Sequence, residues 1–240
     1  MNFEVIGANI VKILSKYWRV FLIEGLSVTL ELAFISVLLG VLLGTVVAML
    51  KMSRFKLVRA LISVYVEVIR GTPILLQLYI FVFALPSMIT FVKLNYFTWT
   101  AIALCINSSA YVSEVIRSGI QAVDKGQTEA ARSLGLSSGQ TMLRIVLPQA
   151  VRNILPALGN EFIMMLKETS LASTFFVGDL MTSYLTVKGT TYLGFECLVI
   201  VGAIYLCVTY PLSKLVGLLD KKMSGESSYR SHKKKAKAKA

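Results

Sequence analysis

The chain has 240 residues, 55% of them hydrophobic and only 16% charged, with a mean hydropathy of +0.70 and a formal net charge of +12. Soluble domains carry roughly 25% charged residues, so the composition excludes an ordinary soluble enzyme and points to an all-α polytopic membrane protein. Cys105, Cys197 and Cys207 lie inside apolar stretches with no CxxC or Cys/His spacing, which excludes a disulfide scaffold and offers no metal site.

Residues 1–19 mix Phe3, Val5, Ile6, Ile10, Ile13 and Leu14 with Lys12, Lys16 and Arg19. The segment is too short and too charged to span, and reads as an amphipathic helix on the membrane surface. It lacks the pattern of a cleaved signal peptide. Five stretches long enough to cross about 30 Å of hydrocarbon follow, at about 25–50, 57–85, 97–120, 150–172 and 193–219.

The first stretch contains a GxxxG at Gly40 and Gly44, whose default role is close helix packing. Arg70-Gly71-Thr72-Pro73 interrupts the second stretch. Splitting it there leaves pieces too short to span, so one helix kinked at Gly71–Pro73 is expected. Glu67 and Arg70, three residues apart, share a helix face and read as an ion pair beside the kink, with a place on a solute pathway as the alternative. Glu114 and Arg117 repeat that spacing near the end of the third stretch, where Asn107, Ser108, Ser109 and Tyr111 can bond between helices.

Residues 121–148 are neither apolar enough to cross nor loose enough for a linker. Residues 129–134 form helix readily, Gly135 is a natural stop, and Ser137 with Gln140 fits a capping box. A second short helix is expected to end before Pro148. The result is a helix–turn–helix elbow exposing Ala130, Ala131 and Gly135 to whatever surface approaches it.

In the fourth stretch, Ala157, Glu161, Met164, Met165 and Glu168 fall on one face at 100° per residue, with Asn160 and Lys167 on its flank. Two carboxylates on one stripe cannot face lipid. They either bind the ammonium or cationic side chain of a solute, with Met165 and its neighbour as an adaptable wall, or pair with Lys167 and groups on neighbouring helices. Residues 221–240 carry eight Lys/Arg and one Glu, so seven of the twelve net positive charges sit in a low-complexity tail that is expected to be disordered. No aromatic residues alternate with its lysines, which argues against nucleic acid as a partner. Eighteen Lys/Arg flank one side of the spans and five the other. This places the N-terminus outside and the C-terminus in the cytosol.

Glu129-Ala130-Ala131, then Gly135, then Ile145 and Leu147-Pro148 meet the pattern E-A-A, three residues, G, nine residues, I-x-L-P without departure. In this the chain resembles the membrane-spanning subunits of bacterial ATP-binding-cassette importers. Glu67 through Pro73, Ile106 through Arg117, and Leu155 through Leu171 resemble the polar amino-acid branch, which includes histidine, arginine, glutamine and cystine types. The likeness covers about residues 20–220.

The resemblance implies a type I importer half in the bacterial cytoplasmic membrane, paired with a second permease subunit (itself or a paralogue). Each half docks a cytosolic ATPase through the elbow, and an external solute-binding protein delivers the amino acid. ATP and Mg would belong to the ATPase, and no cofactor to this chain. Consistent with that division, the sequence has no GxxxxGK[ST] phosphate loop, and it is read as a non-enzyme. An autonomous secondary transporter or channel is the competing reading. Five spans give that class no even repeat, and it would leave the elbow without a task.

Overall fold

The computed structural model describes residues 3–89 and 91–223, and among them every regular element is helical. Helix α1 runs Phe3–Lys51, α2 Lys56–Gly71, α3 Ile74–Met88, α4 Tyr96–Gln121 and α5 Lys125–Ser133. Helix α6 covers residues 138–168, α7 Leu180–Thr191 and α8 Gly194–Met223, with a 3₁₀ turn at Thr169–Phe175 between α6 and α7.

The expected break between a surface helix and the first span is not there. A π-helical segment, Val20–Gly25, carries α1 straight through. Ile13 and Phe21 are fully covered by Leu180, Val187, Cys197 and Ile200 of α7 and α8. The amide of Asn9 donates to the buried Glu196 at 3.0 Å, fastening the N-terminal part of α1 to the start of α8. Within residues 3–19 only Ile13 is buried in this way, while Phe3, Val5, Val11, Leu14 and Trp18 stay exposed.

The helix pair α1–α4 forms the spine. Thr29, Ala33, Ser36, Gly40, Gly44 and Ala48 line the buried side of α1. A Cβ on Gly40 would lie 2.6 Å from Ser108 Oγ, and one on Gly44 2.8 Å from the Ser109 carbonyl. Only glycine permits this approach, so the GxxxG is a packing face. Away from that contact, Phe34, Leu38, Leu42 and Val46 remain exposed. Around the spine, Leu78, Val82, Trp99, Leu104, Met165, Leu166 and Phe175 close one core.

Between α2 and α3 the chain breaks, where a kink was expected. Thr72 and Pro73 are both extended, and the two helices meet at 105°. Proline disfavours helical geometry in the residue before it, and the carbonyls it frees find another donor. Gln77 Nε2 donates to the Ile69 carbonyl at 2.7 Å, to Thr72 Oγ1 at 2.8 Å and to the Thr72 carbonyl at 3.1 Å. Its Oε1 accepts from Asn107 Nδ2 of α4 at 2.9 Å, which pins the corner to the spine.

The elbow also departs from expectation at Pro148. Helix α6 does not stop before it. A π-helical stretch, Met142–Val146, precedes the proline, and α6 continues to Glu168. A π-turn shifts the local carbonyls away from the ring, so the clash that would end an α-helix does not arise.

By length and composition, α1 and α8 alone suffice to cross a membrane, and α2 with α3 makes a third if the bent pair is one span. Helix α4, 26 residues long, is about 39 Å at 1.5 Å per residue and exceeds the hydrocarbon thickness, as does α6. These two are less apolar because they turn Asn107, Ser108, Ser109, Ser113 and Glu161 inward.

Candidate functional site

A cleft of about 430 Å³ opens where α2, α4 and α6 converge, with Arg70, Tyr111, Glu114, Ser118, Asn153 and Glu161 on its walls. Each wall has a local cause. Arg70 lies at the last turn of α2, where the Thr72–Pro73 break frees its side chain to swing across to α4. Its guanidinium lies over the Tyr111 ring at 5.2 Å and reaches within 3.9 Å of Glu114 Oε2.

The expected Glu67–Arg70 ion pair is therefore not formed. Glu67 is exposed on α2, while Arg70 is drawn to a carboxylate already held in place by two stronger contacts. Lys51 Nζ at the end of α1 donates to Glu114 Oε1 at 2.7 Å. Arg117 donates to Glu114 through both Nε and Nη2, the latter at 2.7 Å. Three cations thus surround one carboxylate, leaving that end of the cleft net positive.

Glu161 supplies the opposite charge. It is 7% exposed, and its only hydrogen bond among the described residues is a long one of 3.4 Å from Ser108 Oγ. No lysine or arginine pairs with it within 4 Å. The cleft therefore carries a guanidinium on one wall and, on another, a buried carboxylate with a single long hydrogen bond.

The remaining fourth-stretch candidates do not join it. Glu168 is half-buried, seven residues or about 10 Å further along α6. Asn160 and Lys167 are exposed. Met165 is 0% exposed and packs into the core beside Leu78 and Leu166, so it is no wall of a pathway, whereas Met164 is 44% exposed. Helical periodicity groups these residues on one stripe. Which part of the stripe α1, α3 and α4 cover is set by tertiary packing.

Lys51 and Gln77 were missed in the sequence. Both act across long separations, Lys51 on Glu114 and Gln77 on Asn107. A single polar residue inside an apolar run was the available signal for Gln77.

The elbow stands apart from the cleft. Asp124 caps α5 by accepting from the Gly126 amide at 2.6 Å. The helix ends as a Schellman motif, with Leu136 N–H donating to the Ala131 carbonyl, Gly135 N–H to the Arg132 carbonyl, and Gly135 at φ +85°. Ser137 and Gln140 form the reciprocal capping box. Glu129, Ala130, Gly135, Leu147 and Pro148 are exposed and Ile145 is half-buried. Ala131, expected to be exposed, is 6% exposed and faces inward. Leu134 at 82% and Leu143 at 65% exposure add bare apolar surface that the sequence reading did not single out.

Comparison with known proteins bears on the family and the fold. Residues 37–225 match the family model described as "Binding-protein-dependent transport system inner membrane component". The chain is 39% identical over 203 residues to the arginine transport system permease protein of Bacillus subtilis (strain 168), covering 85% of this chain and 92% of that one. It is 40% identical over 212 residues to a putative glutamine transport system permease protein of Rickettsia prowazekii (strain Madrid E), covering 88% and 97%. A crystal structure of an amino acid ABC transporter with histidines superposes with a TM-score of 0.83 at 46% identity, over 87% of this chain and 96% of that one.

Proposed function

The chain belongs to the family of inner membrane components of binding-protein-dependent transport systems, and from that premise we propose that it carries polar amino acids inward through alternating access driven by a separate ATPase. It is the permease component of an amino-acid ABC importer. The finer assignments rest on its own residues.

The observation that carries the reading is the elbow. Its backbone is fixed at both ends by caps, while Leu134, Leu143, Glu129 and Ala130 are left bare. A monomeric surface has no use for a rigid apolar knuckle of this kind unless a partner covers it. A cytosolic ATPase gripping Glu129 through Pro148 would transmit its closure to α4 and α6, two of the three helices that form the cleft, as a rigid-body change. A second permease subunit, an external solute-binding protein and the bacterial cytoplasmic membrane complete the proposed assembly. ATP and Mg stay with the ATPase.

Within the cleft, the solute's ammonium or cationic side chain faces Glu161 and its carboxylate faces Arg70. Glu168, Asn160 and Lys167 are assigned further along the route, outside the cleft itself. Vesicles reconstituted with this chain, its ATPase and the second permease subunit, with the solute-binding protein supplied outside, test the scheme. Glu129→Lys or Gly135→Pro should abolish ATP-dependent uptake while membrane insertion persists. Uptake that survives both changes, or that runs on an ion gradient without ATP, would favour an autonomous secondary transporter instead.

A further inference from the structure

A second cavity, of about 610 Å³ and open to solvent on one side, lies behind the elbow, bounded by the end of α4, by α5 and by the first turns of α6. Its polar lining is Gln121, Lys125, Thr128, Arg132, Ser138 and Thr141. Every one of these side chains can donate a hydrogen bond, two are cations, and no carboxylate lines the cavity among the described residues.

Helix α5 presents its cations there by periodicity. Lys125, Thr128 and Arg132 sit at i, i+3 and i+7, one face of the helix. Arg132 spends Nη1 on the Leu136 carbonyl at 2.7 Å, which fixes the guanidinium and leaves Nε and Nη2 to donate elsewhere. Neither Lys125 nor Arg132 forms an ion pair among the described residues.

Thr141 adds an independent sign. It is 2% exposed, lines the cavity, and its Oγ1 has no hydrogen-bond partner. A buried hydroxyl without a partner is destabilising, so a group that supplies an acceptor here is favoured.

We propose that this cavity binds a phosphoryl anion, presented by a phospholipid headgroup or free in solution. Three hydroxyls, an amide and two cations exceed what a planar carboxylate accepts, whereas a tetrahedral anion offers acceptors in several directions. The apolar floor, including Met142 and Val146, suits a phosphoryl group esterified to a nonpolar body. Bound there, the anion fastens α5 to α4 and α6, and so sets how stiffly the elbow is held. The inference is independent of whether an ATPase grips the elbow's outer surface.

The test uses the purified full-length chain. In mixed phosphatidylglycerol and phosphatidylcholine, native mass spectrometry should show the anionic lipid retained over the zwitterionic one, and Lys125→Gln/Arg132→Gln should cut that retention about fivefold or more. Thr141→Val should weaken it about threefold, with Thr141→Ser restoring it. Lys12→Gln/Lys16→Gln, the same charge change on α1, should leave it unaltered.

Inorganic phosphate, titrated against thermal melting, separates the sources. Stabilisation by phosphate with the same variant dependence, and no lipid retention, assigns the site to the free anion. The proposal is overturned if neither probe binds, if the Lys125/Arg132 double variant binds as the parent does, or if the Lys12/Lys16 control loses as much.

Discussion

Lys51 Nζ rests 2.7 Å from Glu114 Oε1, joining the end of α1 to α4 across 63 residues of chain. Both side chains are only about one-sixth exposed, at 16% and 15%, so the pair sits between the weak surface case and the costly buried one. Glu114 also anchors Arg117 and Arg70. Glu114→Gln therefore strands three cations, while Lys51→Met removes one. Glu114→Gln should lower stability by about 1–3 kcal/mol and by more than Lys51→Met does. Thermal melting of the two single variants and the double gives the answer, and strict additivity would mean that the two residues do not interact.

Gly40→Ala forces a methyl against Ser108, whose Oγ and Cβ would lie 2.6 and 2.7 Å away. Overpacking of this kind costs about 1–3 kcal/mol. Adding Ser108→Gly to Gly40→Ala should recover most of the loss, because the added methyl then occupies the space the serine vacates. A melting curve for the pair that is no better than for Gly40→Ala alone would contradict the α1–α4 contact.

Gly135 sits at φ +85°, where residues with a Cβ are strained by about 1–2 kcal/mol. Asparagine tolerates this region and valine does not. Gly135→Asn should retain most ATP-driven uptake and Gly135→Val should lose it, although both leave the exposed side chains of the elbow unchanged. Equal uptake by the two would show that the turn's shape is not what matters.

Glu161 and Glu168 lie on one sequence stripe but in different surroundings. Glu161→Gln should lower kcat/KM for a cationic or zwitterionic amino acid by about tenfold or more, equivalent to about 1.4 kcal/mol. Glu168→Gln, outside the cleft, should do less. Uptake kinetics in vesicles under equal ATP turnover decide it. A larger effect at Glu168 would move the solute contact away from the Arg70–Glu161 cleft.

Gln77 serves two masters at the Thr72–Pro73 corner, the carbonyls of Ile69 and Thr72 and the amide of Asn107. Gln77→Leu leaves those groups buried and unpaired, and should cost about 2–3 kcal/mol in melting experiments. Asn107→Leu on that background should cost less than it does alone, since its partner is already gone.

Local chemistry was legible in the sequence wherever cause and effect lie within a few residues. The Ser137–Gln140 capping box, the left-handed stop at Gly135 and the close-packing Gly40/Gly44 pair all appear as their residue types require. Features set by distant partners were not. Arg70 was paired with its helix neighbour Glu67, yet the proline break turned it toward Glu114. Met165 shared a helical face with Glu161, yet that part of the face is covered by core. The two prolines divide in the same way. At Pro73 the helix breaks, with Thr72 and the proline itself both extended, while Pro148 is passed because a π-turn precedes it.

The unbroken run of α1 from Phe3 to Lys51 has a mechanical consequence. A rod of 49 residues is about 74 Å long. Pivoted at its Lys51 tether, a rotation of about 5° would sweep the far tip by on the order of 6 Å at that length. Asn9, near that tip, is bonded to Glu196 of α8, so a swing of that size would have to carry the start of α8 with it or break the bond.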